Sequence, residues 1–463
     1  MSSTLKLALM LGAPVLAAYL NSFSGSFQFD DFNVIVDNAV VHSLAAWSAD
    51  LGVGIRPILK LSYVLNWITS PDAFNFHLFN LAIHLVNTWL VFLLAQRLVE
   101  GFMLAAPQRA TLAALGAAML FGLHPAQTEA ITYISGRSGS LMATFYLGSV
   151  LSYIHGVNVN QRSYVYVLSP ILFVLAMATK EVAISLPFAL LLLELTRREP
   201  TNWIAAARRL SVHALVGVTA MIALLGLSRD WERLRPELAP QILIQTLLTQ
   251  IEAVSYLVSR LLLVYPLNID PDLRLATNWS APLAFKAAML IALFMLSLWA
   301  LRRRTWWTFA ILWFFIQLVP TNSIVARLDL ANDRHLYLAC VGVFTALGIE
   351  IQMLRDRVLG WRPVLGATSI LILITLAALT ALRNRDYRNE IALWEQTVLL
   401  SPNKARPFNN LGFAYDTAGC FRQAERAYRE ALRLKPDYSV ARDNLASSLE
   451  RAGGARETNC KSD

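Results

Sequence analysis

The chain has 463 residues, 56% of them hydrophobic and only 15% charged, with a mean hydropathy of +0.48. A soluble domain carries roughly 25% charge, so the composition excludes an ordinary water-soluble enzyme and marks an integral membrane protein. The net charge of +9 would suggest nucleic acid in a soluble protein; here the surplus lies in loops between apolar segments, matches anionic lipid, and nucleic acid is not expected as a partner.

Apolar runs recur along the chain, close to the roughly 20 residues a helix needs to cross a hydrocarbon core about 30 Å thick. Eleven are read, at 5–20, 79–99, 112–123, 141–154, 164–178, 182–195, 210–227, 282–301, 306–319, 336–351 and 364–382. The expected fold is an all-α polytopic membrane helix bundle with about eleven transmembrane helices. The first run is taken as an anchor, not a cleaved signal peptide, because no clean small-x-small site precedes Asp30. Residues 242–264 are apolar enough to span, yet crossing there would invert everything downstream; interfacial or re-entrant helices are expected instead.

Basic residues resist translocation, which orients the bundle. With the N-terminus inside, Arg97, Arg109, Arg162, Arg197, Arg198, Arg208, Arg209, Arg302, Arg303, Arg304, Arg355, Arg357 and Arg362 all fall on the cytoplasmic side. The same alternation puts the loop at Asp30, the segment after His124, the stretch around Lys180 and Glu181, residues 321–334 and everything after Arg383 on the outer face. One basic cluster, Arg229, Arg233 and Arg235, lands outside against this pattern.

After Leu382 the character changes. Leu411, Gly412, Tyr415, Ala424, Tyr428, Ala431 and Pro436 have the spacing of a tetratricopeptide repeat, with Gly412 and Ala424 small where two helices must approach. Trp394 precedes Tyr428, and Pro402 precedes Pro436, by one repeat length, so a degenerate unit comes before; Leu445, Ala446 and Leu449 begin a third. The expected organisation is a membrane domain at 1–383, repeat helices forming a short α-solenoid at 384–453, and a polar tail at 454–463. Cys340, Cys420 and Cys460 offer no metal spacing and no obvious disulfide pair.

The residues able to do chemistry gather in the outer segments. Asp30 and Asp31 follow the first apolar run within FQFDDFNVIVDN, and a carboxylate in hydrogen-bond reach can serve as general base. The adjacent side chains are expected to diverge, one towards an acceptor and one into a structural bond; the alternative is convergence, with mutual repulsion raising one apparent pKa. Arg137 and Arg334 can grip a phosphate bidentately, with Lys180 and Arg56 as second choices. His124 and Glu129 can orient a substrate, and His335 adjoins Arg334. Each has a plainer alternative: the acids as helix caps, the arginines on lipid headgroups, Lys180 and Glu181 as a snorkelling pair, His124 as a helix start with a satisfied imidazole. His84, inside the second run, reads as a packing or hydrogen-bonding residue. No nucleotide-binding glycine loop, zinc spacing or hydrolase triad is present.

These segments resemble the transmembrane and tetratricopeptide-repeat O-mannosyltransferases and their bacterial relatives, of the GT-C glycosyltransferase superfamily. FQFDDFNVIVDN is similar to that family's first outer loop, and RPILKLSYVLN and FHLFNLAIHLVN to its next stretch. LFGLHPAQTEAITYISGRSGSLMA is similar to its histidine-proline, glutamate and glycine-arginine segment, and VPTNSIV with NDRHLYLA to its late outer loop, although Asp333 stands where relatives usually have Glu. The resemblance implies transfer of a sugar, mannose by expectation, from a polyprenyl-phosphate carrier to Ser/Thr hydroxyls of exported proteins on the extracytoplasmic face. It favours Asp30 over Asp31 as base and needs no cofactor; a divalent metal is possible but not favoured, the acids being sparse. The alternatives are a transferase of the same fold acting on a lipid or cell-envelope glycan, and a non-catalytic repeat scaffold. Expected partners are the lipid-linked sugar, membrane lipid and an acceptor protein met by the repeats; the expected location is a bacterial inner membrane with periplasmic repeats, or alternatively the endoplasmic reticulum with luminal ones.

Overall fold

The computed structural model describes residues 3–103, 107–197, 202–227, 240–303, 305–323 and 329–454. Arg198, the cluster of Arg229, Arg233 and Arg235, Arg304, Cys460 and the tail after Gly454 lie outside the described residues.

Among the described residues there is no strand. An unpaired backbone group in hydrocarbon costs several kcal/mol, so an apolar chain closes its hydrogen bonds within each helix. The helices are α1 (Ser3–Tyr19), α2 (Leu44–Asp50), α3 (Pro57–Thr69), α4 (Ala73–Met103), α5 (Pro107–Leu123), α6 (Thr128–Ile131), α7 (Arg137–Asn158) and α8 (Ser169–Thr179). They continue with α9 (Leu186–Thr196), α10 (Trp203–Leu227), α11 (Pro240–Arg260), α12 (Ala281–Ala300), α13 (Trp306–Leu318), α14 (Leu336–Arg357) and α15 (Arg362–Asp386). Six described helices are long and apolar enough to cross a membrane: Thr4–Ser24, Ala73–Phe102, Ile242–Arg260, Ala281–Arg303, Asp333–Arg357 and Leu359–Asp386, with shorter apolar helices at Tyr164–Thr179 and Trp306–Leu318. The chain is a multi-pass membrane protein of the all-α class.

Close backbone approach organises the centre of the bundle. Helix α5 buries Ala110, Ala113, Ala114, Ala117 and Ala118, and Gly348 of α14 packs into that face: a Cβ there would stand 2.3 Å from the Ala113 carbonyl oxygen. Small residues at helix crossings are how apolar helices associate where lipid tails remove the hydrophobic drive. Polar side chains join the same helices from within. His84 of α4 bonds the Tyr337 hydroxyl at 2.9 Å and the Gly122 carbonyl at 3.1 Å, and Asn87 donates to the Ser140 carbonyl at 2.7 Å. His84 is thus a hydrogen-bonding core residue.

Helix α11 is continuous, and its length and apolarity would suit a span. Its stretch from Thr249 to Leu257 meets the Asp30 end of the bundle, and Glu252 pairs with Lys286 of α12. Gln250 accepts from Asn322 at 2.9 Å, Thr249 accepts from the Ala276 amide at 2.9 Å, and Ala253 and Leu257 pack with Ala126, Leu318 and Leu336.

Four further helices, α16 (Glu390–Leu400), α17 (Ala405–Thr417), α18 (Phe421–Leu434) and α19 (Ser439–Gly454), follow α15 and cap the same end. Helices α17 and α18 form a hairpin in which a Cβ at Gly412 would lie 2.7 Å from the Tyr428 ring, so only glycine admits that ring. Cys420 is disulfide-bonded, a pairing its spacing did not suggest, while Cys340 is free and buried. The junction is clamped: Asn384 donates to the Ala18 carbonyl at 3.1 Å and accepts from the Thr132 hydroxyl at 2.7 Å.

Candidate active site

The site starts from a strained turn. Phe29 has φ +49°, a left-handed conformation that non-glycine residues seldom adopt. It is held by its amide donating to Glu390 Oε1 at 2.8 Å and its ring meeting Trp394 edge-on at 5.2 Å. Beyond this turn the two acids separate. Asp31 is buried and accepts from the Gln28 and Ser135 amides at 3.0 and 2.8 Å, tying the loop to the turn before α7. Burial pushes its pKa to about 7 in spite of those bonds. Asp30 points instead into a cavity, its amide donating to the Tyr133 hydroxyl at 3.0 Å. Burial pushes the Asp30 carboxyl above the usual range, against the pull of Arg334.

That cavity brings together Asp30, Glu129, Tyr133, Asp329, Arg334 and Arg406. Glu129, on the short helix α6, is 1% exposed; its Oε2 accepts from the Arg334 amide at 3.2 Å and its Oε1 lies 3.5 Å from Arg334 Nε. Burial raises the Glu129 pKa, with Arg334 opposing it. Asp329 Oδ2 lies 3.6 Å from an Arg334 terminal nitrogen. Arg406 and Arg334 outweigh burial there and hold Asp329 below the ordinary carboxylate range. A second cavity lies on the other side of Arg334 and is lined by Lys180, Gln317, Thr321, Arg334 and His335. His335 Nδ1 is 3.1 Å from Asn322 Oδ1. Arg334 is therefore the wall shared by an acid-lined and a cation-lined chamber. Among the described residues no three His, Cys, Asp or Glu side chains are grouped to hold a metal ion.

Besides Asp31, three expected site residues line neither cavity. Arg137 is fully buried: Nε donates to Asn80 Oδ1 at 2.6 Å, the terminal nitrogens donate to the Ser62 and Phe76 carbonyls at 3.2 and 3.1 Å, and the guanidinium lies 4.7 Å from the Phe79 ring centroid. Its donors are spent stapling α3 and α4 to α7, so it is not a phosphate ligand. His124 is also buried; its Nδ1 accepts from the Ala126 amide at 3.2 Å and caps the following turn, and it lines neither cavity. Arg56 makes a bidentate pair with Glu181 at 2.9 and 2.6 Å. Burial raises Glu181, but Arg56 outweighs it and brings the carboxyl to about 2. Arg56 thus anchors the residue next to Lys180 without lining either cavity.

Replacing Arg137 with Ala is expected to lower the thermal unfolding temperature of the purified protein more than replacing Arg334 does. It leaves the buried Asn80 Oδ1 without its donor, at about 1–3 kcal/mol, and strips the charged hydrogen bonds from the Ser62 and Phe76 carbonyls that tie α3 and α4 to α7. Tyr133, Asp329 and Arg406 escaped the sequence reading, and Trp394 entered it only as a repeat position. Tyr133 lies inside a segment that carried the resemblance; Asp329 and Arg406 have no local signal, since an arginine beginning a repeat helix and an acid in a loop are ordinary.

The fold and this site define a multi-pass helical protein with a carboxylate and a guanidinium facing one chamber. No family model matches the chain. Among curated proteins it is similar to protein O-mannosyl-transferase F38B6.6 of Caenorhabditis elegans, 24% identical over 446 residues, covering 91% of this chain and 61% of that protein. It is also similar to protein O-mannosyl-transferase Tmtc1 of Drosophila melanogaster, 33% identical over 205 residues, 40% of this chain and 23% of the fly protein. Mouse protein O-mannosyl-transferase TMTC3 is 31% identical over 154 residues, 30% of this chain and 16% of that protein. The chain spans less than two thirds of each of these relatives. Its likeness to the protein O-mannosyl-transferases nonetheless runs through nearly all of its own length.

Proposed function

We propose that this chain is an integral-membrane glycosyltransferase that moves a sugar, mannose by the relatives' names, from a polyprenyl-phosphate carrier to Ser/Thr hydroxyls of exported proteins. In this reading the Asp30 end of the bundle faces the extracytoplasmic side. The distribution of arginines supports that orientation, and the disulfide-bonded Cys420 fits an oxidising compartment. The helices after Asp386, with their repeat-like spacing, would then help receive the acceptor.

The observation that carries the reading is that Asp30 and Arg334 line one cavity, with Lys180 and His335 across Arg334 in the next. The Asp30 carboxylate takes the proton of the acceptor hydroxyl, whose oxygen attacks the anomeric carbon. The bond from that carbon to the phosphate oxygen breaks, and the phosphate departs with the electron pair. Arg334, Lys180 and His335 meet the charge that builds on it, and preorganised donors in a water-poor site are an effective way to stabilise such charge. A raised Asp30 pKa improves its basicity once ionised.

Mass spectrometry of exported proteins from cells carrying the wild-type chain, the Asp30→Asn variant or no chain tests the proposal. Hexose on Ser/Thr is expected with the wild type alone. Identical glycan profiles in all three would end the transferase reading, and a wild-type-dependent glycan on lipid only would redirect it to a lipid acceptor.

A further inference from the structure

We propose that Arg406, carried by the helices after the membrane bundle, is a positioning residue of the Asp30 cavity, fixing Asp329 and through it Arg334, so that the active site is incomplete without α17. This rests on the transferase reading for its kinetic consequence, though not for its geometry.

Arg406 lies in the first turn of α17 and reaches back to the bundle. Its Nε donates to Asp270 Oδ2 at 2.8 Å while a terminal nitrogen pairs with Asp329 Oδ1 at 2.7 Å. The other Asp329 oxygen faces Arg334, whose Nε faces Glu129. Charges thus alternate from Asp270 through Arg406, Asp329 and Arg334 to Glu129. Docking alone does not call for this reach. Lys404 also pairs with Asp270, the Ser401 hydroxyl donates to the Asp270 carbonyl at 2.6 Å, and Asn403 donates to Asp272 at 2.7 Å. The second arm of the guanidinium passes beyond that set to the loop acid beside Arg334. Separate nitrogens of the planar fork serve the two carboxylates at once.

Arg406 also acts on Asp30 through space. The groups lining the cavity with Asp30 are Glu129 from α6, Tyr133 from the turn before α7, Asp270 from the loop before α12, Asp329 from its loop, Arg334 from the turn before α14 and Arg406 from α17. Asp31 is adjacent, and Glu390 of α16 holds the Phe29 amide. Burial raises the Asp30 carboxyl and Asp329 adds to this, while Arg334 and Arg406 oppose it. Removing Arg406 takes away a cation that favours the carboxylate, so Asp30 titrates at higher pH.

The test uses the purified full chain with a short-chain polyprenyl-phosphate mannose and a Ser/Thr-rich peptide. Arg406→Ala is expected to lower kcat about 10²-fold, the scale for a misplaced reacting group, and to move the acid limb of the pH profile upward. Arg406→Lys, retaining charge without the fork, should restore the limb more than kcat. Lys404→Ala, altering docking only, should move neither. A wild-type kcat and unmoved limb in Arg406→Ala, with Asp30→Asn inactive, would overturn the inference and leave the transferase reading intact. If the wild type transfers nothing, that reading fails, and difference infrared titration of the Asp30 carboxyl, assigned with Asp30→Asn, decides the inference by itself. An upward shift in Arg406→Ala supports it; an unchanged titration overturns it.

Discussion

Asp30→Asn is expected to cut sugar transfer by about 10²- to 10⁴-fold, the usual contribution of a general base, with unchanged membrane insertion and thermal stability. The amide is nearly isosteric and lines the same cavity; it gives up the attraction to Arg334 and Arg406, but those arginines keep Glu129, Asp329 and Asp270 as partners, so the fold is retained. Asp31→Asn should behave in the opposite way. Both Asp31 oxygens accept backbone amides, and an Asn would turn an NH₂ towards one of them, so thermal stability falls before chemistry is touched. The pair is separated by measuring unfolding temperature and initial rate on the same preparations. The pH dependence has a definite sign. The base works ionised, and burial raises its pKa, so activity is lost as pH falls through a value above the ordinary carboxylate range. A rate that stays flat down to pH about 4, the unperturbed carboxylate value, would remove Asp30 from the mechanism.

Arg334→Ala carries the second large effect, a loss of about 10²- to 10³-fold in kcat, comparable to deleting one donor that stabilises transition-state charge. It also leaves Glu129 buried without its guanidinium partner. Burial then raises the Glu129 carboxyl further, and protonation relieves the uncompensated charge. Arg334→Lys should recover part of the rate, since it restores the charge without the two-pronged grip. Rates with varied donor and fixed peptide separate the roles: loss confined to KM for the lipid-linked sugar would mean Arg334 only binds the phosphate and does not stabilise its departure.

Much of the fold was legible because hydropathy is a local quantity. Each apolar run falls on a helix or its short helical extension, and the glycine spaced for a close helix pair, Gly412, meets Tyr428 as the pattern requires. Asp30 was legible for a similar reason: an acid pair immediately after an apolar run is conspicuous in a chain with so few charges. Arg137 and Arg334 look alike in sequence, each an arginine beginning a helix at the same end of the bundle. Only their neighbours distinguish them. Asn80, Ser62 and Phe76 consume the donors of Arg137, whereas Arg334 is met by Glu129 and Asp329 and lines two small cavities.

The sequence by itself determined the class of the protein, the positions of its long apolar helices apart from α11, the acids at Asp30 and Asp31 and the resemblance that the relatives share. The tertiary structure decided which polar side chains face a chamber and which are satisfied in the core, and it brought Arg406 of α17 to a site built by the membrane bundle. Burial of an apolar face is written into residue order at helical period, whereas the fate of a charged side chain depends on partners that chain folding brings from far along the polypeptide. Glu129 and Arg334, 205 residues apart, meet only because α6 and the turn before α14 pack together.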